Sequence, residues 1–397
     1  MNDRLRLGIV IARYGPEVLG GAETLARGLA EHLPRHEFEV EVLTTCARDL
    51  MGWDNVYPPG LTYVNDVPVI RFPIDHARRD ADRYWELLLK FTNGWPTTVE
   101  EEYEWVEHSA HSPELYAFLA GRGARYDFII FVPYIFGPTY YGVELFPEKS
   151  VLWPCLHDEP FAYFQPTRLM MEACRGLMFN SEPERTLALG GVGVRHRGGH
   201  VIGFGLEDFK ADGDRFRRKH GLDGPFILYS GRVEGMKNVP LLLDHFRAYK
   251  RARPGNPLKL LIMGTGSTPV PRHADIVPLG FVPEQEKLDA FAAATILCQP
   301  SVMESFSIVL MEAWLAGTPV LVHGDCDVTR YHVLRGNGGL YFSDEDEFAG
   351  ALDWFLDNPD LRRRMGRAGR AYVRREYNWG TVLDRFRAAL GFWRGVG

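Results

Sequence analysis

Only five cysteines occur in 397 residues, Cys46, Cys155, Cys174, Cys298 and Cys326, and each stands alone. None has the paired spacing of a zinc or redox motif, so thiol-bound metal and a disulfide scaffold are excluded as organising principles. Single thiols in apolar settings fit a reducing cytoplasm. Long hydrophobic runs are missing too: stretches such as LLLD and ILYSG fall far short of the ~20 residues that span a bilayer. The opening MNDRLRLGIVIAR enters a strand pattern without a small-residue cleavage site, which predicts no signal peptide. Basic charge is not in excess, with 45 Lys and Arg against 52 Asp and Glu. The net charge of −7 argues against nucleic acid as a partner. The three spaced glycines of a dinucleotide fingerprint are absent, so no nicotinamide cofactor is expected. Repeats and low-complexity tracts are absent as well.

What is present is an ordinary globular composition, 46% hydrophobic and 24% charged, on a chain too long for one core. Apolar β-branched runs alternate with helical patterns, which reads as parallel sheets with crossover helices. LRLGIVIA, FEVEVLTTC, YDFIIFVPY, SVLWPCLHDEP and RGLMFNS belong to a first half; PFILYSGRV, LKLLIMGTG, ATILCQPS and PVLVHG belong to a second. Residues 206–224, charged and glycine-containing, read as the linker. Residues 51–125 interrupt the rhythm with acids, prolines and large aromatics, among them Trp53, Tyr57, Tyr63, Tyr84, Trp85, Trp95, Tyr103 and Trp105. Aromatic rings stack on sugar faces, so this insertion suits a carbohydrate acceptor; packing of a satellite core is the simpler use for most of them.

Four segments carry chemistry. In PSVMESFSIVLMEAWLAGTPVLV, Glu304 follows a strand and Glu312 lies on an otherwise apolar helix. Eight residues of helix would separate the two carboxylates by ~12 Å on one face. The amides of Ser305, Phe306, Ser307, Ile308 and Val309 form the helix start, whose N–H groups and dipole favour phosphate or sugar oxygens. A buried Glu312 needs a partner. In YSGRVEGMKNVPLLL, Arg232 and Lys237 follow a strand, and Gly231 permits close backbone approach. Two cations converging there would neutralise a departing diphosphate. Gly20 and Gly21 precede a helix in GPEVLGGAETLARGLA, a turn that admits an anion or sugar, with Glu23 read as structural. His157 follows an apolar strand, where it either orients a sugar or merely supports its neighbours. Asp158 and Glu159 beside it are weaker candidates. Each segment alone also has a bland explanation as a cap, a turn or a solvated charge.

In this order, the segments resemble family 4 retaining glycosyltransferases of GT-B architecture (glycosyl transferases group 1). The resemblance spans the chain, down to the terminal NWGTVLDRFRAAL. It implies an α/β fold of two Rossmann-like domains facing each other across a deep cleft. Residues 1–205 would form the N-terminal acceptor-binding domain, with the aromatic-rich insertion 51–125. Residues 206–377 would bind the nucleotide sugar, and 378–397 would form a helix packing back on the N-terminal domain. Glu304, His157, Arg232 and Lys237 take the catalytic roles, and Glu312 holds the ribose. Gly20, Gly21, Gly231 and the helix-start amides meet phosphate or sugar. Gly264, Gly266, Gly280, Phe281 and Val282 form the base pocket, with 279–282 a short strand. The family commonly has glycine where Asn238 and Ser307 stand.

The implied activity is metal-independent, cofactor-free transfer of a hexose from a nucleotide-diphosphate sugar to a carbohydrate or lipid-linked acceptor, in bacterial envelope glycan synthesis. Localisation is expected to be cytoplasmic, with peripheral contact at the inner membrane face left open. The alternatives are a nucleotide-sugar epimerase of the same fold and a catalytically silent glycan- or nucleotide-sugar-binding partner.

Overall fold

A computed structural model describes residues 4–18, 20–50 and 52–395. The chain divides into two α/β units, Met1–Gly205 with Val382–Gly397, and Leu206–Thr381. In the first unit the strands are β1 (Leu5–Ile11), β2 (Phe38–Thr45), β3 (Gly60–Val64), β4 (Val67–Phe72), β5 (Phe128–Val132), β6 (Ser150–Leu152), β7 (Gly176–Phe179) and β8 (Gly199–Val201). Its helices are α1 (Gly21–His32), α2 (Ala81–Thr92), α3 (Val99–Glu107), α4 (Pro113–Arg122), α5 (Gly137–Leu145), α6 (Gln165–Ala173) and α7 (Glu182–Thr186). The sheet runs β3-β4-β2-β1-β5-β6-β7-β8, and every pairing is parallel except β3 with β4. β1 and β5 are continuous apolar runs because helices cover both faces of a parallel sheet.

The second unit contains α8 (Gly213–His220), β9 (Phe226–Ser230), α9 (Val239–Ala252), β10 (Lys259–Met263), β11 (Ile276–Gly280), α10 (Glu284–Ala293), β12 (Ile296–Gln299) and α11 (Ile308–Ala316). It continues with β13 (Val320–His323), α12 (Asp327–Gly336), β14 (Gly339–Phe342), α13 (Glu345–Asp357) and α14 (Pro359–Glu376). Its sheet, β11-β10-β9-β12-β13-β14, is wholly parallel. The stretch read as a linker is structured: α8 occupies its middle, capped by the Asp212 carboxylate and closed by left-handed Gly221. Arg215 on α8 pairs with the buried Asp289 of α10.

Two elements explain how the functional segments are held. α11 ends at left-handed Gly317, and α14 crosses it closely because α14 carries glycines at the contact. A Cβ on Gly369 would lie 2.3 Å from the Trp314 ring, so only glycine lets the helices meet. The last helix, α15 (Trp379–Gly395), is started by Asn378, whose side chain accepts from the Thr381 amide. It packs on the first unit through Phe386 against Phe38 and through Trp393, whose indole donates to the Gly198 carbonyl.

The aromatic insertion does not form one surface. Tyr84, Phe91 and Trp105 interlock with Phe161 and Phe164, with Trp105 stacked on Phe161 at 4.6 Å. Trp53 is buried against Phe136. Tyr63, Trp85, Trp95 and Tyr103 are exposed.

Candidate active site

In the second unit, β9 is followed by β10 and β11 on one side, and the chain then returns to place β12 on the other. Parallel sheets leave a crevice beyond the carboxyl ends of two strands where the order reverses in this way. Arg232 and Lys237 come from the loop after β9, and Glu304 from the loop after β12. The structure joins the latter two: the Lys237 Nζ lies 2.8 Å from Glu304 Oε1. Gln299, the last residue of β12, donates to the same oxygen at 3.3 Å, and the Met303 carbonyl accepts from Lys237 at 3.4 Å. Lys237 ends a short 3-10 turn, Gly235–Lys237, terminated by Asn238 in the left-handed conformation. The Asn238 amide donates to the Pro300 carbonyl, which stitches the two loops together.

Arg232 is placed differently. Its guanidinium is exposed and sits 3.0 Å from Glu234. Beneath it the Tyr229 hydroxyl donates to the Arg232 carbonyl at 2.6 Å. Burial raises the Tyr229 hydroxyl well above its ordinary pKa, with the Glu304 charge adding to the rise and Arg232 opposing it.

The two glutamates do not lie on one helix. α11 begins only at Ile308, so Glu304 belongs to the preceding irregular loop, and the helical spacing expected between the carboxylates does not apply. Backbone geometry explains the late start: Ser307, the cap of α11, has φ 70°. A residue in the left-handed region cannot continue a right-handed helix. Ile308 and Val309 are therefore the first helical residues, and Ser305 and Phe306 precede them. Phe306 is buried against His332 and Tyr377 and anchors the loop.

Glu312 finds the partner its burial demands in Lys287 of α10, 2.9 Å away, a lysine that also meets Glu284 at 2.9 Å. Burial still pushes the Glu312 carboxyl above the usual range, Lys287 notwithstanding. Sequence reasoning missed Lys287. The need for a cation was legible, but a partner 25 positions away is chosen by packing alone. Three buried polar atoms on this short stretch have no hydrogen-bond partner: Gln299 Oε1, Ser307 Oγ and Glu312 Oε2. Buried polar groups are normally satisfied, so these three atoms are open to a partner from outside the chain, water or ligand.

The glycines read as a base pocket have packing reasons. A Cβ on Gly264 would fall 1.9 Å from the Gly231 carbonyl oxygen, and one on Gly266 would fall 2.2 Å from that of Val233. The ends of β9 and β10 thus touch backbone to backbone. Gly280 closes β11, and its carbonyl accepts from the Gly264 amide at 2.8 Å. The short strand expected at 279–282 is displaced: β11 covers Ile276–Gly280, left-handed Gly280 ends it, and exposed Phe281 and half-buried Val282 lie beyond.

In the first unit, Gly20 and Gly21 start α1 after β1. Glu23 is buried in an ion pair with Arg13, the structural role expected of it. His157 follows β6 and is a third exposed, with its Nδ1 3.5 Å from the buried Glu159. Glu159 in turn accepts from Tyr134 at 2.8 Å. Asp158 accepts from Tyr163 at 2.6 Å.

Comparison with known proteins agrees with this layout. Residues 212–372 match the family model described as glycosyl transferases group 1. An uncharacterized glycosyltransferase of Methanocaldococcus jannaschii is 25% identical over 95% of this chain and 96% of its own. The phosphatidyl-myo-inositol mannosyltransferase of Mycobacterium leprae is 36% identical over 41% of this chain and 45% of that one. Among solved structures, Anabaena HepE in complex with UDP superposes with a TM-score of 0.71 at 16% identity, covering 98% of this chain and 99% of that one. Two α/β units, one with an eight-stranded and one with a six-stranded sheet, give the chain the GT-B fold. Over residues 212–372 the chain is thus similar to glycosyl transferases group 1.

Proposed function

We propose that the protein is a family 4 enzyme that transfers a hexose from a nucleotide-diphosphate sugar with retention of anomeric configuration. The observation that carries this is the Lys237–Glu304 pair, which bridges the loops of two adjacent strands at the point of reversal. A lysine that already neutralises a carboxylate is held in place without losing its remaining N–H donors, so it can also meet a diphosphate. Arg232, exposed at the end of β9, adds a second cation as charge develops on the leaving phosphate. Glu304 then accepts from donor-sugar hydroxyls, and the unpartnered Glu312 oxygen accepts from the ribose. The dipole and N–H groups at the start of α11 favour the phosphate or sugar oxygens.

His157 and the Gly20–Gly21 turn join this assignment by resemblance, the first as a contact to the donor sugar and the second to phosphate and acceptor. Among the described residues no carboxylate stands out as a nucleophile. A front-face route, in which the departing phosphate accepts the acceptor's proton, therefore suits these residues best. The donor is expected to be a uridine nucleotide sugar, by analogy with the UDP complex of the similar fold. Envelope glycan synthesis, an acceptor that is a carbohydrate or glycolipid, and independence of metal and cofactor complete the proposal.

Thermal unfolding with UDP, GDP and ADP tests the donor site, because a ligand that binds only the folded state raises its stability. UDP is expected to raise the melting temperature more than GDP or ADP, and Arg232→Ala and Lys237→Ala are expected to abolish the shift. If none of the three nucleotides stabilises the wild-type protein, the donor assignment fails. Transfer to acceptor with inverted configuration, or only in the presence of a divalent cation, would overturn the mechanism. Sugar isomerisation without any acceptor would point to an epimerase.

A further inference from the structure

The helical hairpin formed by α2 and α3 is not explained by donor chemistry. Its inward residues build the core described above, with Tyr84, Phe91 and Trp105 packed together. Its seam is knit by Lys90 with Glu101 and by Arg83 with Glu104. Its outward residues should then be polar, as on any solvated helix. They are not. Trp85 and Leu89 lie one turn apart on α2, Val99 and Tyr103 one turn apart on α3, and Trp95 sits at the tip. The exposures of Trp85, Trp95 and Tyr103 are 41%, 56% and 48%.

From this we infer that the hairpin is a seat for a neutral oligosaccharide, the acceptor chain of the transferase; the inference rests on the function proposed above. Three observations select this occupant. First, charge: residues 80–107 hold eight acids and two bases, a net of −6 against −7 for the whole chain. An anionic membrane surface or an acidic glycan is repelled by such a segment. Second, hydrogen-bond chemistry: the exposed Glu100 and Glu107 share the α3 face of Tyr103 by helical spacing, and ionised carboxylates only accept. Their partner must be rich in donors, as sugar hydroxyls are, while the rings cover its apolar C–H faces. Third, position: Trp105 stacks on Phe161, and the Glu102 carboxylate accepts from the Gln165 amide. The hairpin is thereby fixed to the segment that begins at His157, on the carboxyl-end rim of the first sheet.

The test is calorimetric titration of the full-length protein with maltotriose, cellotriose and mannotriose, repeated on Trp85→Ala combined with Trp95→Ala. Saturable binding of at least one trisaccharide is expected, weakened about tenfold or more in the double variant by loss of ring stacking. The melting temperature of the variant should match that of the wild type, because both rings are exposed, and any UDP-induced shift should be unchanged. No binding of any trisaccharide overturns the inference, as does binding that survives the double substitution. A lowered melting temperature in the variant assigns the rings to packing instead. Co-sedimentation with zwitterionic vesicles that is lost in the variant makes the hairpin a lipid contact, and self-association lost in the variant makes it an interface between copies. None of these results depends on nucleotide binding, so failure of the donor site is read separately.

Discussion

Two residues stand where the family commonly has glycine, and both adopt backbone conformations that favour glycine. Asn238 has φ 56° and Ser307 has φ 70°. Asparagine tolerates this region better than most side chains, and here its amide is further held by donating to the Pro300 carbonyl of the facing loop. Serine has no such compensation: its hydroxyl is buried without a partner. Ser307→Gly is therefore expected to stabilise the protein by about 0.5–1 kcal/mol, the strain relieved less the added freedom of the unfolded chain. Denaturant unfolding measures it, and a loss of stability would show that the serine is held by something else. Lys287 offers a second test. Lys287→Met leaves Glu312 buried without its cation and should cost about 1–3 kcal/mol, the lower part of that range being favoured because the lysine is partly exposed. Adding Glu312→Leu should restore most of the loss, since a buried pair is often replaceable by apolar side chains. Nucleotide binding should fall in both variants.

At the scale of the element, Glu184 shows how one carboxylate fastens two strand ends. It begins in the first turn of α7, is 1% exposed, and accepts from the amides of Leu156 beyond β6 and Asn180 beyond β7. Burial pushes its carboxyl up to about 8 from a reference of 4.5, although the amide bonds pull the other way. The folded state then keeps a proton that the unfolded chain releases. Stability from this group is fully present on the acid side and is lost as pH rises from about 4.5 toward about 8. The melting temperature is expected to decline across that window, and Glu184→Gln is expected to flatten the decline. An unchanged slope in the variant would assign it to other groups.

For the whole molecule, the first unit is built from two segments far apart in sequence, the second of them starting at Val382. Trp393 is 2% exposed, and Arg175 donates to its carbonyl at 3.1 Å. Its indole fills a slot in which a Cβ on Gly176 would lie 2.2 Å from the ring. The Arg387 guanidinium pairs with Glu37 through two hydrogen bonds of 2.8 and 3.0 Å. Truncation after residue 381 should expose this apolar floor and yield aggregated protein, since losing one buried tryptophan alone costs about 3–5 kcal/mol. The second unit has its own core around Leu242, Phe246, Phe348 and Phe355. A fragment of residues 206–381 should therefore fold by itself, with a cooperative thermal transition. No described helix is long and apolar enough to cross a membrane.

Sequence alone determined the alternation of apolar strands with amphipathic helices, because a parallel sheet covered on both faces imposes that pattern locally. It also determined that Lys237, Glu304 and Glu312 stand at strand ends and on an apolar helix, since each signal lies within a few residues of a strand. What only the tertiary structure decided was long-range. That Lys237 pairs with Glu304 follows from β9 and β12 becoming neighbours, and that Lys287 answers Glu312 follows from α10 packing beside α11. The start of α11 moved to Ile308 because of a backbone angle at Ser307 that composition does not reveal. The insertion's aromatics divided into core and surface for the same reason. Helical periodicity gives the faces of α2 and α3, but only packing against Phe161 and Phe164 decides which face is inside.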